Sequence, residues 1–310
     1  MRNKLALLNA FACVAHVLSG SLGLALHERT KVDVYQPLFE YVKGGNLAFR
    51  QIPHTVFRIG ILLPYVIVEY ITAVFHIIYT SQLLVPSFAR WMRRNVADTP
   101  SLNPTRWVEY GITASFLSAF GGNAIGLNQF PYFFKVLVDG FALQLIGYSL
   151  ELLDCTVSLH VRLQKILWNI GTLLNVSSVG ILLYQLFASK AHTDIFYYNV
   201  VPFTIWYNTF GVIAKLDFYK WRQFADPYFT EKWYIILSLS TKISVFWLSF
   251  ATYRQISEEN GQSKSAGVDW FAVRMCASWL LFGLIAIVAV YDWHSFKPRR
   301  RRLRIERIEL

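Results

Sequence analysis

Residues 235–247 read IILSLSTKISVFW and place one lysine, Lys242, in the middle of a long apolar stretch. The hydrocarbon core of a bilayer, about 30 Å thick, needs roughly 20 apolar residues for one helical span. A charged side chain inside a span costs free energy and is retained mainly where it serves a function. The stretch therefore predicts a membrane-spanning helix that carries a functional lysine.

The whole chain is apolar enough to contain further spans. Its 310 residues are 55% hydrophobic and 16% aromatic, and the mean hydropathy is +0.36, values that a soluble domain of this length rarely reaches. Eight apolar stretches have the length of a span, and they lie at residues 5–26, 57–85, 105–126, 132–153, 165–187, 195–215, 232–253 and 270–292. The predicted fold is an all-α membrane protein made of one helical bundle.

The formal net charge of +11 follows from the loops and the tail rather than from a nucleic-acid-binding face. Cytoplasmic loops of membrane proteins are enriched in Lys and Arg. With the N-terminus inside, the inner segments hold the larger share of these residues, and the basic tail around Arg299–Arg302 faces anionic lipid. An even number of spans puts both termini in the cytoplasm. We expect an integral protein of the plasma membrane or of a host-cell membrane that binds no nucleic acid.

Motifs of enzymes and metal sites are missing from the sequence. Cys13, Cys155 and Cys276 have neither the spacing of metal ligands nor that of a disulfide framework. The sequence has no phosphate-binding glycine loop, zinc motif or nucleophile elbow. We therefore predict no metal and no enzymatic activity.

The longest connection, after the first span, has the pattern of a β-hairpin. Val32–Tyr35 and Leu38–Val42 precede the pair Gly44-Gly45, and Leu47–Phe49 follows it. Alternating apolar and polar residues around a Gly-Gly turn are typical of two antiparallel strands. The aromatic residues of this loop have two interpretations: they pack on the bundle or on a second copy, or they lie in the lipid interface.

Six ionisable residues lie well inside predicted spans. They are His16, Glu69, His76, Glu109, Asp139 and Lys242. Two interpretations fit such residues in a membrane. They form a functional or proton-relay site, or they join helices through hydrogen bonds and ion pairs.

Lys242 and Glu109 have complementary chemistry. A buried lysine loses much of its preference for the charged form, and a neutral amine condenses with an aldehyde to a Schiff base. The protonated Schiff base then needs a buried counter-charge, which Glu109 in the third span would supply. Aromatic side chains in the third, sixth and seventh spans would form the walls of a site for a long flat ligand. The alternative is an ion pair that only joins two helices.

At this point the sequence resembles the microbial rhodopsins, and among them the heliorhodopsins. Pumping rhodopsins carry Arg-aromatic-x-Asp-aromatic in the third span and an Asp four residues before the retinal lysine. Here the third span reads RWVEY at residues 106–110, with Glu109 at the acidic position, and Ser238 precedes Lys242 by four residues. In having Glu at the acidic position of the third span and no acid four residues before the lysine, the sequence resembles the heliorhodopsins. The histidines of the first two spans, His16 and His76, also match that family.

The resemblance implies a retinal pocket with a defined set of residues. The predicted pocket comprises Lys242 as the Schiff-base lysine, Glu109 as the counterion, and Ser238, Trp107, Tyr110, Thr113, Phe203, Trp206 and Tyr207. The predicted proton-accepting or relay residues are His16, His76, Glu69 and Asp139. The implied cofactor is retinal, all-trans in the dark, and the implied assembly is a homodimer joined through the extracellular hairpin.

The resemblance covers residues 1–255, the retinal-binding seven-helix bundle. Residues 256–310 depart from it, because they add an eighth span at about 270–292 and the basic cytoplasmic tail. The donor position of proton pumps, eleven residues after the counterion, is Phe120 here. The family therefore implies a light-responsive photoreceptor rather than a pump, with an unknown cytoplasmic signalling partner. The alternatives are a light-gated passive proton channel, which the many titratable groups favour, and a transporter or scaffold without retinal.

Overall fold

The computed structural model describes residues 2–25, 31–42, 48–60, 62–96, 102–103, 105–124, 129–153, 158–188 and 201–259. The described helices are α1 (Arg2–Ala25), α2 (Leu63–Leu84), α3 (Pro86–Asn95), α4 (Arg106–Ala124), α5 (Phe130–Glu151), α6 (Ser158–Ala188), α7 (Val201–Phe218) and α8 (Pro227–Glu259). A short 3₁₀ turn, Arg222–Ala225, joins α7 to α8. Proline stands at the first or second position of α2, α3, α5, α7 and α8, where its missing N–H costs no helical hydrogen bond.

Five of the described helices are long and apolar enough to cross a membrane. They are α1, α2, α5, residues Leu159–Tyr184 of α6 and residues Pro227–Ala251 of α8. In the apolar stretch of α8 that could span a membrane, 78% is buried, whereas at most 50% is buried in the corresponding stretches of the other four helices. Helix α8 therefore lies at the centre of the bundle. The chain is therefore an integral membrane protein with an α-helical core.

Strands β1 (Lys31–Val42) and β2 (Ala48–Gly60) connect α1 to α2 and pair antiparallel. Lys31 lies opposite Gly60 and Val42 opposite Ala48, with one irregularity between Val34 and Tyr35. The predicted Gly44-Gly45 turn lies outside the described residues. The span predicted from residue 57 begins only at Leu63, because β2 continues to Gly60 and Pro64 starts the helix.

Three apolar clusters hold the helices around α8. The largest joins α2, α4, α5, α6 and α8 and contains Tyr65, Leu117, Phe120, Phe133 and Phe246. A second cluster packs α1 and α2 against Ile235, and a third packs α4 and α7 against Trp233, Tyr234 and Leu237. The predicted span at 270–292 and the basic tail lie outside the described residues.

Candidate functional site

The centre of the bundle holds a buried ion pair between α8 and α4. Lys242 is 4% exposed and Glu109 is fully buried, and the lysine Nζ donates a hydrogen bond to Glu109 Oε1. Tyr79 of α2 donates its hydroxyl to the other carboxylate oxygen, Oε2, at 2.5 Å. Both oxygens of Glu109 therefore have a donor, which a buried carboxylate requires if it is not to destabilise the fold.

Lys242 also has an aromatic neighbour. Its Nζ lies 5.2 Å from the centre of the Tyr110 ring, within the range of a cation–π interaction. Tyr110 follows Glu109 on α4 and is buried at the contact with α7 and α8. The Lys242 ammonium therefore has the Glu109 carboxylate on one side and the face of the Tyr110 ring on another.

On the α1–α2 side, two histidines form a second polar group. The rings of His16 and His76 stack with their centres 5.4 Å apart. His16 Nδ1 lies 2.5 Å from Glu69 Oε2, so a hydrogen bond joins these two buried groups. The His76 ring meets Tyr79 edge-on at 5.9 Å, and Tyr79 bonds Glu109. Hydrogen bonds and ring contacts therefore join five residues in one row, which we call the histidine row: Glu69, His16, His76, Tyr79 and Glu109.

The hydrogen bonds of Asn9 settle the tautomer of His76. The Asn9 amide nitrogen donates to the Leu5 carbonyl, which turns its oxygen toward His76 Nδ1 at 2.8 Å. Because an amide oxygen only accepts, the proton of a neutral His76 is on Nδ1 and its Nε2 keeps the lone pair. The Nε2 atoms of His16 and His76 are buried and have no hydrogen-bond partner among the described residues. In a neutral His76, this lone pair is therefore not used by any residue that the structure describes.

A charged cluster lies one helical turn before Glu109 on α4. Arg106 is 2% exposed and bonds Glu231 of α8 at 2.8 Å and Glu151 of α5 at 3.4 Å. The guanidinium also stacks on Tyr234 at 3.9 Å, and Asn103 donates to the second oxygen of Glu231. Planar guanidinium suits two carboxylates and a ring face at once. The cluster closes the bundle at the end where α4 and α8 begin.

A cavity of about 380 Å³ extends from Lys242 between α4, α5, α6, α7 and α8. Its volume is within the range of pockets for small organic ligands, roughly 300–1,000 Å³. The walls are mainly apolar, and five of the described lining residues are aromatic: Trp107, Tyr110, Trp168, Phe210 and Tyr234. A Cβ atom on Gly147 would overlap the Trp107 ring, so glycine is needed for that ring to lie along the wall. An apolar aldehyde that reacts with one amine fits this cavity.

Among the described residues, two lysines line the cavity. The sequence does not indicate that the second one, Lys215, lies there. Lys215 of α7 contributes to the wall as Lys242 does. Lys215 is exposed and lies in the last turn of its helix, whereas Lys242 is buried beside its carboxylate. Burial and the fixed partner distinguish Lys242 from Lys215.

The other predicted pocket residues divide into three groups. Trp107 and Tyr110 line the cavity. Ser238 and Thr113 are both buried, and each lies four residues from a member of the ion pair along its helix. The Thr113 hydroxyl donates to the Glu109 backbone carbonyl at 2.9 Å. The backbones of the remaining three belong to α7, but their side chains lie outside what the structure describes: Phe203, Trp206 and Tyr207.

Among the residues that the structure describes, no hydrogen bond joins Asp139 to the histidine row. Its Oδ2 accepts from Lys135 of the same helix at 2.5 Å and from Ser178 of α6 at 2.7 Å. Among the described residues these two bonds connect α5 to α6 and do not lead to Glu109. The geometry of Asp139 favours the interpretation that it joins two helices.

Several residues of the site were not predicted from the sequence, among them Tyr79, Asn9, Glu231 and Trp168. Tyr79 is one helical turn from His76, and Asn9 is two turns from His16, so the helical period was a usable signal. Glu231 lies eleven residues before Lys242, three turns away on the same face. Trp168 has no such signal, since its place in the cavity wall depends on how α6 packs.

Comparison with known proteins gives one family. No curated protein matches the chain. A sequence model of the heliorhodopsins matches residues 5–253, which include α1 to nearly the end of α8 and every residue of the ion pair and the histidine row. Because this match spans most of the chain and encloses the whole site, the protein belongs to the heliorhodopsin family.

Proposed function

We propose that the protein is a light-responsive membrane photoreceptor that holds retinal, all-trans in the dark, as a Schiff base on Lys242. Membership in a rhodopsin family implies the retinal chromophore. The observation that carries the finer proposal is a buried amine, paired with Glu109, at the edge of an aromatic-walled cavity. Addition of all-trans retinal to the purified protein is expected to produce a visible absorption band. A retinal-free transporter or scaffold would give none.

Retinal, when bound, supplies visible absorption and light-driven isomerisation. The residues of this chain balance the positive charge of the Schiff base and form the walls of the pocket. Glu109 supplies the negative charge beside Lys242, and Tyr79 fixes the second oxygen of that carboxylate. Trp107, held by Gly147, and Tyr110 keep the walls apolar, so little water competes with the ion pair.

The surroundings of Phe120 support the absence of pumping. This residue occupies the position where proton pumps have a donor carboxylate. It is 6% exposed and packs against Phe116 and Phe133, with ring centres 5.8 and 5.2 Å away. Ser238, at the position of a second acid, is buried and carries no charge. Without a donor acid at Phe120, the site lacks the group that would return a proton to the Schiff base in directed transport.

We infer that His16 and His76 receive a proton when light disturbs the Lys242–Glu109 pair. The His76 ring contacts Tyr79, which bonds Glu109, and a neutral imidazole can accept one proton on its free nitrogen. Light-minus-dark infrared spectra are expected to contain imidazole protonation bands that disappear in the His16→Phe, His76→Phe double variant. His54→Phe, at an exposed position of β2, is the matched control and should keep them. Unchanged bands in the double variant would show that the histidines only support Glu109.

A second candidate function is a light-gated passive proton conductance. The row from Glu69 to Glu109 places five titratable groups next to one another, joined by two hydrogen bonds and two ring contacts. Series of such groups are typical of proton paths in membranes. The Arg106 cluster lies at the other side of the ion pair, and a fixed guanidinium opposes the passage of protons. In this function the cluster closes the path in the dark, and light must displace Arg106.

Voltage clamp of cells supplied with retinal separates the two functions. A light-induced current that reverses at the proton equilibrium potential is expected for the conductance. Silence at all potentials is expected for a photoreceptor without transport. Current at zero driving force would mean pumping and would contradict both proposals.

We also propose the domain organisation and the topology inferred from the sequence. Residues 1–255 form the retinal-binding bundle, and residues 256–310 add an eighth span and a cytoplasmic tail. Both termini are then cytoplasmic, and the β1–β2 hairpin is extracellular and joins a homodimer. The basic tail remains available to a cytoplasmic signalling partner or to membrane lipid.

The fate of a C-terminal tag tests this topology. Protease added to intact cells should leave the tag uncut, because the tail is cytoplasmic when residues 270–292 cross the membrane. Permeabilised cells provide the control in which the tag should be removed. Removal of the tag from intact cells would mean that residues 270–292 do not cross.

A further inference from the structure

Helix α3 differs from the other helices in length, place and charge. It has ten residues, PSFARWMRRN, and begins at Pro86, two residues after α2 ends. Val85, between the helices, has an extended backbone, so the chain turns there. Since α2 has the length and hydropathy of a membrane span, α3 starts at the level where that span leaves the hydrocarbon core.

The residues of α3 divide into two faces. At 3.6 residues per turn, Phe88, Trp91 and Met92 fall in one sector of about 100°. Arg90, Arg93 and Arg94 fall in a second sector of about the same width on the opposite side. An apolar face opposite a basic face is the pattern of helices that lie in the plane of a membrane surface.

Burial shows which part of the apolar face the protein covers. Met92 is 6% exposed and packs inward, whereas Trp91 is 54% exposed and stacks on Phe88. Leu84 and Val85, just before the helix, are also about half exposed. Tryptophan is enriched at the level of lipid headgroups. The uncovered apolar side chains thus mark the lipid side of the helix.

The three arginines carry a local charge that the described protein does not neutralise. All three are exposed, and no salt bridge joins them to a carboxylate in the part of the chain that the structure describes. The helix itself contains no acidic residue. Its place at the membrane surface brings phosphate groups within reach of these guanidinium groups, which bind them with charge-assisted hydrogen bonds.

We propose that α3 is an interfacial helix that binds anionic phospholipid headgroups through Arg90, Arg93 and Arg94. Trp91 anchors it at the headgroup level. Each arginine near an anionic surface favours binding by about fivefold at low salt. The lipid contact then fixes the C-terminal end of α2, the helix that carries Tyr79, His76 and Glu69. This function is independent of retinal and of the orientation of the chain.

Quenching of Trp91 fluorescence by brominated lipids tests the proposal. The protein is reconstituted in symmetric nanodiscs that contain equal fractions of either brominated phosphatidylglycerol or brominated phosphatidylcholine. The Trp91 signal is the difference between wild type and Trp91→Phe. Quenching by the anionic lipid is expected to exceed that by the neutral lipid by at least about fivefold, the preference that a single arginine supplies, and salt should reduce the excess.

Two triple variants with equal loss of charge decide the outcome. Arg90→Gln, Arg93→Gln, Arg94→Gln should remove the preference for the anionic lipid. Arg2→Gln, Lys4→Gln, Lys165→Gln changes three exposed residues at the same end of the bundle and should keep it. Circular dichroism and size-exclusion chromatography confirm that each variant is folded. Equal quenching by both lipids, or equal loss in both triple variants, would overturn the proposal.

Discussion

Lys242→Ala is expected to abolish the visible pigment completely while the protein is still made and inserted in the membrane. The variant lacks the only buried amine at the wall of the cavity within the described residues, so retinal has no covalent partner there. Absorption after addition of all-trans retinal, normalised to protein from an immunoblot, measures the effect. Stable visible absorption in this variant would rule out Lys242 as the attachment site.

Lys215→Ala is the matched control for this experiment. Lys215 lines the same cavity but is exposed at the end of α7. The control should retain the wild-type band. The reverse pattern, in which Lys215→Ala loses the pigment and Lys242→Ala keeps it, would move the attachment to α7.

The Lys242→Ala variant leaves Glu109 buried without its cation. Removing one partner of a buried ion pair costs about 3–5 kcal/mol of folding stability, which is enough to reduce expression. The double variant Lys242→Ala, Glu109→Gln removes both charges and should regain stability without regaining pigment. Borohydride reduction of the wild-type pigment, followed by peptide mapping, gives an independent check and should label the peptide that contains Lys242.

The sequence predicted the charged centre of the site because charges contrast with apolar spans. Lys242, Glu109, His16 and His76 each interrupt a long hydrophobic stretch, and a charge in such a place is costly enough to be noticed. The structure brings these residues together around Tyr79 and Glu109. The contrast in hydropathy is local, which is why a single sequence was sufficient.

The remaining residues depend on how distant segments pack. Tyr79 and Asn9 are ordinary residues in apolar helices, and only the contact of α2 with α4 and of α1 with α2 gives them partners. Glu231 lies near the start of α8, where a charge is usually solvated. It becomes buried because Arg106 and Asn103 meet it from α4 and the preceding segment. No pattern along one helix encodes such a contact.

Helix boundaries were predicted less well than helix identity. Hydropathy placed the second span from residue 57, but residues 57–60 belong to β2. Apolar residues such as Val56 and Phe57 suit a strand as well as a helix, and short apolar stretches do not distinguish the two. Pro64 was the better signal, because proline at the first turn marks a helix start.

Glu109→Gln is expected to change the pigment more than any other carboxyl substitution in the described bundle. The amide keeps the size of the side chain but removes the negative charge beside Lys242. A protonated Schiff base without this charge is less stable, so visible absorption should be lost at a pH lower than in wild type. An opposite charge at contact distance changes such a titration by about one to three pH units. The absorption maximum should also shift strongly.

Asp139→Asn is the matched control, since it makes the same chemical change in a second buried carboxyl. Asp139 bonds Lys135 and Ser178, between α5 and α6, and no described hydrogen bond connects it to Glu109. Its variant should therefore keep the wild-type spectrum and pH dependence, although the lost contact with Ser178 should lower thermal stability slightly. Absorption spectra recorded across alkaline pH compare the two variants. Equal spectral effects would show that the counter-charge is shared between the two acids, and Glu109 would then not be the sole counterion.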